Sequence, residues 1–210
     1  MGTEIPLRCR CGAVRGVAID VARSRGNRLV CFCDDCQAYA RFLGTSGVID
    51  EHGGTDIFQM TPSQLQITSG QEHLCCVRLS SNGLMRWYTA CCRTPVGNTL
   101  ASARMPFVGV VHCFMDHEAD GRSRDEVLGE PIALVHGRFA IGRPPRRAHP
   151  TAPTWLIVRS VGLILRAWLG GRHRPSPFFD PQTNRPLVTP TVLTPAERRA
   201  ALALIHGRDG

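Results

Sequence analysis

The run CFCDDC, residues 31–36, decides the local fold because it joins a predicted strand to a predicted helix. The apolar segment 28–33 is typical of a buried strand, and segment 34–44 has the composition of a short helix. Three thiols within six residues can surround one tetrahedral zinc ion at such a junction, and three protein ligands leave the fourth position open. The sequence therefore predicts three metal ligands here: Cys31, Cys33 and Cys36.

Other interpretations of this run stay open at the level of sequence. The thiols could be small buried apolar side chains. Alternatively, Cys33 and Cys36 could form a redox dithiol, which would leave Cys31 without a role. The neighbouring Asp34 and Asp35 could relay a proton to a ligand, although such residues more commonly cap a helix N-terminus. We prefer metal binding because it accounts for all three cysteines together.

A second pair of close cysteines, Cys9 and Cys11, precedes Gly12, which allows a tight turn. Two ligands cannot close a structural site alone, and the adjacent Cys91 and Cys92 are the natural source of the other two. Adjacent residues of a regular strand point to opposite faces, so both can bind one ion only where the chain turns. The sequence thus predicts a second zinc site, provided that such a turn exists.

Ten cysteines in 210 residues are many for a chain whose first residues lack the features of a secretory signal. Clustered cysteines without such a signal favour metal ligands or reactive thiols over disulfides, so we expect reduced thiols in a cytoplasmic protein. No apolar run reaches the length of about 18 residues that would predict a spanning helix. Three cysteines in apolar strand-like segments are expected to be buried without a ligand role: Cys75, Cys76 and Cys113.

Short strand-like segments separated by turn residues predict a mainly β fold of small antiparallel sheets. Besides the strands before residue 34, these segments are 55–60, 64–68, 74–80, 84–90 and 107–115.

A short helix would end at Gly44, a second would run from Thr154 to about Leu169, and a third would open at Thr194-Pro195. The predicted parts are a β domain at 1–141, a Pro/Arg-rich linker at 142–153 and a basic C-terminal region at 154–210.

Three motifs, CRCGAV (9–14), CFCDDC (31–36) and CRTP (92–95), resemble the glutathione-dependent formaldehyde-activating enzyme family over roughly residues 5–115. The resemblance implies a β-tent zinc-binding fold with a structural and a catalytic zinc. It assigns the structural ion to Cys9, Cys11 and Cys92, and the catalytic ion to the three cysteines of CFCDDC. The catalytic zinc would keep an open position for the glutathione thiol.

The sequence departs from the family pattern at three positions. The family has the first cysteine of a later C-x-x-C pair at the position of Thr89. Cys91 would have to replace that ligand, which requires a changed turn. Between the first two cysteines of CFCDDC, this chain has Phe32 where the family often has histidine. After the third cysteine, it has Gln37 where the family often has a basic residue. The implied function is that of a carbon–sulfur lyase that binds glutathione or a similar thiol and forms or handles its aldehyde adduct. The alternative from another class is a non-catalytic, zinc-stabilised binding module.

The formal net charge of +8 comes entirely from a late part of the chain. All 25 basic residues are arginine, which excludes a catalytic lysine or Schiff base. Segment 131–179 has eight arginines and no acidic residue, and the other 17 arginines match the 17 acidic residues. A nucleic-acid partner could therefore bind only this segment, which contains no recognised nucleic-acid-binding motif. The basic segment could instead lie against the metal-binding part of the same chain, which bound metal–thiolate clusters would make negative.

The apolar helix predicted at 154–169 has three open interpretations. It could pack on the β domain, form a homodimer contact, or lie on a membrane surface through Trp155 and Trp168 near its ends. Packing is the most common of these, with arginines at the rim of the contact.

Overall fold

The computed structural model describes residues 2–117, 119 and 121–206, with only the backbone for 203–206. The described residues form eleven β-strands and four α-helices. The strands are β1 (Thr3–Arg8), β2 (Arg15–Val21), β3 (Asn27–Cys31), β4 (Thr55–Met60), β5 (Leu65–Ser69), β6 (Leu74–Arg78), β7 (Met85–Thr89), β8 (Pro95–Thr99), β9 (Val108–Val111), β10 (Ala133–Val135) and β11 (Thr191–Val192). The helices are α1 (Asp34–Leu43), α2 (Arg124–Leu128), α3 (Thr154–Leu169) and α4 (Pro195–His206).

The described strands pair into two sheets. The smaller sheet is antiparallel, with the order β1-β2-β5. The larger has the order β10-β3-β4-β9-β8-β7-β6-β11; its two edge strands pair in parallel and its inner strands pair antiparallel. The prediction of a mainly β protein with a short early helix and C-terminal helices is confirmed. The larger sheet is wider than expected because segments after residue 130 supply both of its edges.

The main core contains side chains from both sheets and from the C-terminal region. Trp87 of β7 is fully buried, and its indole Nε1 donates a hydrogen bond of 2.9 Å to the Thr99 hydroxyl of β8. The ring of Phe178 stacks on Trp87 at 4.8 Å between centroids, and Phe179 meets it edge-on. The proline-rich segment before α4 therefore completes the core rather than lying outside it.

Helix α1 follows the first metal motif directly, but its predicted cap is wrong. Cys33 is the N-cap residue and makes no side-chain cap hydrogen bond, whereas Asp34 and Asp35 lie in the first turn. Carboxylates there stabilise the helix through its dipole without capping it. The end at Gly44 is confirmed: this residue has φ 64°, and its N–H donates to the carbonyl of Ala40.

A buried ion network joins β3, β4 and α2. Arg28 has only 5% of its side chain exposed and contacts Asp56 at 2.8 Å and Asp125 at 2.6 Å. Arg124 contacts the same Asp56 carboxylate at 2.9 Å. Burial raises the pKa of Asp56, but the two arginines outweigh burial and hold that pKa below its ordinary value.

Residues on both sides of the predicted linker share the same packing clusters. Leu156 of α3 packs with Leu29 and Ile57 of the larger sheet, and β11 pairs with β6. Helix α4 packs against α1. Its predicted start is confirmed, because Thr194 and Glu197 exchange hydrogen bonds in a capping box. The division of the chain at 142–153 stays a prediction.

Helix α3 is fixed to the sheet along one face. Asn27, at the start of β3, donates to the Ser160 hydroxyl at 3.0 Å and accepts from Arg159 at 2.6 Å. Away from this contact, α3 exposes several large apolar side chains: Trp155, Val158, Leu165, Trp168 and Leu169. Ile157 and Val161 are about half exposed. In the part of the chain that the structure describes, no helix is both long and apolar enough to cross a membrane.

Candidate metal centres

The four cysteines of the predicted structural site come together in the fold: Cys9, Cys11, Cys91 and Cys92. Four of the six Sγ–Sγ distances within the group are 3.5 Å for Cys9–Cys11, 3.9 Å for Cys9–Cys91, 3.4 Å for Cys11–Cys91 and 3.9 Å for Cys91–Cys92, and the other two are no longer than 4.8 Å. Zinc–sulfur bonds of about 2.3 Å in a tetrahedron place sulfur atoms about 3.8 Å apart. The four sulfur atoms therefore fit one tetrahedral ion with little rearrangement.

Two turns bring these cysteines together. Gly12 has φ 79°, and its N–H donates to the Cys9 carbonyl at 2.8 Å, which confirms the predicted tight turn. After the second pair, Arg93 has φ 56°, and its N–H donates to the Thr89 carbonyl at 2.8 Å. The turn that would let both Cys91 and Cys92 face one ion is therefore present.

Thr89 has a role although it replaces a possible ligand. Its hydroxyl lies 3.4 Å from the sulfur of Cys92, and the hydroxyl of Thr94 lies 3.1 Å from the same atom. Burial raises the pKa of Cys92, but hydrogen bonds from these two hydroxyls outweigh burial and lower the pKa to about 5. A lowered pKa favours the thiolate, which is the form of cysteine that binds a metal ion.

The four-cysteine group is linked to the far end of α1 through Arg93. This side chain donates from Nε to the Leu43 carbonyl at 2.7 Å and from Nη2 to the Phe42 carbonyl. Both acceptors lie in the last turn of the helix, where carbonyl groups lack partners within the helix. A metal ion in the four-cysteine group would therefore help to hold the helix that begins at the other cysteine run.

The second group contains Cys31, Cys33 and Cys36, whose sulfur atoms all lie within 4.8 Å of one another. Cys31 ends β3, and Cys36 lies in the first turn of α1. Cys31 and Cys36 are buried, and Cys33 is partly exposed. Among the described residues, no fourth cysteine, histidine or carboxylate belongs to this group. An ion bound there would keep one position without a protein ligand.

Hydrogen bonding concentrates negative charge on one thiol of this group. Contacts with the Cys31 and Cys33 thiols hold the pKa of Cys36 well below its ordinary value against the effect of burial, and Arg86 lowers it further. Hydrogen bonds with its two neighbours, and then burial, raise the pKa of Cys31. For Cys33, the bond with Cys31 lowers the pKa, but the contact with Cys36 and burial outweigh it and raise the pKa to about 12.

Arg86 of β7 is the charged neighbour of this group. Its side chain is only 3% exposed, and its Nη1 lies 4.0 Å from the sulfur of Cys36 and 3.4 Å from the Asn98 Oδ1 atom. Its Nη2 lies 3.8 Å from the carboxylate of Asp35, which also contacts Arg198 of α4 at 3.3 Å. A buried guanidinium beside the sulfur atoms offsets the charge that the thiolates would carry.

The three-cysteine group opens into a cavity of about 400 Å³. Most of its wall is apolar and comes from β3, β4, β10 and α3, including Leu29, Ile57, Val135, Leu156, Val161 and Ile164. Polar groups in the wall include Arg86, which contacts the Cys36 sulfur, as well as Asn98 and His136. His136 follows β10, whose last residue pairs with Cys31, and it has φ 61°. Histidine, like asparagine and aspartate, adopts this left-handed conformation more often than most other residues.

Sequence reasoning did not single out Arg86, Asn98 or His136. Arg86 carried one weak signal, since it is the only charged residue in the apolar segment 84–90. Asn98 lies in a strand for which no prediction was made, and the place of His136 depends on the parallel pairing of β10 with β3. Neither the strand that contains Asn98 nor the pairing of β10 with β3 leaves a periodic pattern in the sequence.

The donor sets of both groups suit zinc. Each consists only of sulfur, which binds zinc as thiolate and is poorly matched to magnesium or calcium. No disulfide competes for these atoms, because all ten cysteines are free. The coarser prediction of two cysteine groups that could each hold a metal ion is therefore confirmed.

No curated protein matches this chain. One family model matches residues 1–188, a range that contains both cysteine groups, all of α3 and the predicted linker. The chain belongs to a family of unknown function, DUF6151.

Proposed function

We propose that this protein is a zinc–thiolate enzyme that binds a small thiol at Cys31, Cys33 and Cys36 and forms or handles the adduct of that thiol with an aldehyde. One observation carries the proposal: the four-cysteine group can complete a tetrahedron, whereas the three-cysteine group lacks a fourth ligand among the described residues and faces a cavity. This difference separates a closed structural site from a site with an open position. The resemblance of the cysteine motifs to carbon–sulfur lyases supports the same assignment.

When bound, a zinc ion held by three thiolates supplies a soft Lewis acid that favours a sulfur ligand in its open position. Three thiolates donate strongly, so activation of water for hydrolysis is less suited to this site than to a three-histidine site. Arg86 lies beside Cys36 and stabilises the negative charge that a fourth sulfur would add.

The protein also supplies groups that can move a proton. His136 lines the cavity, and a neutral imidazole can accept the proton of an entering thiol. In the addition, the sulfur forms a bond to the carbonyl carbon, the π pair moves to the carbonyl oxygen, and that oxygen takes up the proton held by His136. The reverse steps release thiol and aldehyde. Asp35 lines the same cavity and is held in place by Arg86 and Arg198.

A thiol titration of the cobalt-substituted protein tests the proposal. Binding of 2-mercaptoethanol to the open position adds a sulfur–cobalt absorption band, and we expect a saturable change at millimolar thiol. The change should vanish in Cys36→Ser and persist in Cys75→Ser, because Cys75 belongs to neither group. No spectral change in the wild-type protein would refute the open position.

The same variants separate an enzyme from a zinc-stabilised binding module. If Cys31→Ala keeps a cooperative fold but loses the thiol-dependent band, the three-cysteine site has a role beyond stability. If Cys31→Ala unfolds the chain and the wild-type protein shows no thiol band, the binding-module alternative is the better account. Circular dichroism and the cobalt spectrum together give both results.

A further inference from the structure

We infer that the ligand of the three-cysteine site is a thiol with an apolar carbon chain, held under helix α3, rather than a charged peptide thiol such as glutathione. This inference rests on the proposed function, because it takes the sulfur position as given and assigns the chemistry of the rest of the ligand. It concerns the cavity wall beyond the sulfur atoms.

Most of the cavity wall beyond the cysteines is apolar. Arg86 lies 4.0 Å from the Cys36 sulfur and donates to the Asn98 amide oxygen at 3.4 Å. The α3 side of the wall carries four apolar residues, Leu156, Ile157, Val161 and Ile164, and one hydroxyl, that of Ser160, which already bonds to Asn27 and Gln59. A volume of about 400 Å³ lies within the range of about 300–1,000 Å³ that is typical of sites for small organic ligands. The cavity can therefore receive a carbon chain as well as the sulfur.

Charge argues against a peptide thiol in this space. Glutathione carries two carboxylates and an ammonium group, and each would lose water on entering the cavity. Among the described residues that line the cavity, Arg86 is the one arginine, and it is already engaged by Cys36, Asp35 and Asn98. The carboxylates would thus find no unengaged arginine among the described residues of the wall, whereas an apolar chain loses nothing by leaving water.

Helix α3 is held firmly enough to serve as a wall. Arg159 and Ser160 bond to Asn27 at the start of β3, and the Ser160 hydroxyl also donates to Gln59 at 3.3 Å. Leu156 is buried between the helix and the sheet. The apolar surface under the helix is therefore part of the fold and does not depend on ligand binding.

A chain-length series on the full-length cobalt-substituted protein tests the inference. The probes are 2-mercaptoethanol, glutathione and the alkanethiols from 1-propanethiol to 1-hexanethiol, each titrated against the sulfur–cobalt band. Each added methylene should raise the affinity about fourfold until the cavity is filled. Glutathione should bind no more tightly than 2-mercaptoethanol.

Two helix variants show whether the chain lies under α3. Ile164→Asp places a carboxylate in the cavity wall and should weaken 1-hexanethiol about tenfold or more, while 2-mercaptoethanol changes less than about twofold. The control Leu165→Asp changes the next residue, which is 55% exposed and lies outside the cavity wall, and should leave both affinities unchanged. If Ile164→Asp does not fold, Val161→Asp serves instead, because Val161 lines the cavity but is 48% exposed.

The outcomes for the two proposals can be told apart. A band that saturates with every thiol at the same affinity, or tighter binding of glutathione than of 1-hexanethiol, overturns the apolar chain and leaves the proposed function standing. If none of the tested thiols produces the sulfur–cobalt band, the proposed function itself is overturned. Rising affinity with chain length that is lost only in Ile164→Asp supports both.

Discussion

At the scale of single residues, a few buried charges depend strongly on their partners. Arg86 beside Cys36 and Arg28 beside Asp56 are both almost fully buried. Burial of an arginine is tolerated only where anions or hydrogen bonds compensate for lost water. Removal of one partner therefore leaves a buried charge without compensation and lowers the free energy of unfolding.

We expect Asp56→Asn to lower the free energy of unfolding by about 3–5 kcal/mol, because it leaves Arg28 and Arg124 without their shared carboxylate. Urea unfolding followed by circular dichroism measures this. The control Asp116→Asn removes a more exposed pair with Arg8 at 3.1 Å and should cost less than about 1 kcal/mol. Equal effects of the two variants would contradict a special role of the buried network.

The same carboxylate predicts a pH dependence. The pKa of Asp56 is lower in the folded protein than its ordinary value, which is about 3.9 in an unfolded chain. Its stabilising contribution is thus fully present above that unfolded value and is lost as the pH falls through the folded pKa. The stability difference between wild type and Asp56→Asn should be constant from pH 7 to 5 and shrink toward pH 3. A difference that grows on acidification would show that the sign is wrong.

At the scale of elements, the sequence predicts the positions of helices and strands where apolar residues recur periodically or where capping residues mark the end of a helix. Helices α1, α3 and α4 and strands β4 to β7 lie close to their predicted positions. Strand β8 was missed because Pro95, Gly97 and Asn98 have low β propensity, and neighbours on both sides hold it in the sheet. Strands β10 and β11 were missed because each is short and pairs with a distant segment.

In the candidate site, too, local features could be predicted from the sequence, whereas features that depend on distant contacts could not. Cysteine spacing predicted both metal groups, because ligand geometry is local within each motif. The position of Arg86, the backbone of His136 and the cavity under α3 depend on contacts between distant elements. A single sequence carries little record of such contacts.

Within α3, Gly162 offers a test of helix energetics. A Cβ atom added there would meet no atom within 4 Å, so alanine should fit without a clash. Glycine within a helix is less favourable than alanine by about 0.5–1 kcal/mol, and Gly162→Ala should stabilise the protein by that amount. Thermal unfolding at constant metal content measures the change. A destabilised variant would contradict the placement of Gly162 in open space on this helix.

At the scale of the whole molecule, the C-terminal third shares its core with the sheets. Phe178 stacks on Trp87, and Leu156 packs on Leu29 and Ile57. We therefore expect residues 1–141, produced alone, to lack a cooperative unfolding transition. A cooperative transition of this fragment would instead support the predicted division at 142–153.

A point variant tests the shared core without removing chain. Phe178→Ala should lower the free energy of unfolding by about 3–5 kcal/mol, because it opens a cavity beside the buried Trp87. Leu187→Ala is the control, since this side chain lies in the same segment but is exposed. Both are measured by urea unfolding, and a small effect of Phe178→Ala would show that the segment only covers the core.

The central claim is that each of the two cysteine groups holds one zinc ion. The most direct measurement is the zinc content of the purified chain, set beside that of one variant in each group. We predict two ions for wild type and for Cys75→Ser, one for Cys36→Ser and one for Cys91→Ser. A wild-type chain without zinc, or a Cys36→Ser variant that still holds two ions, would contradict the account.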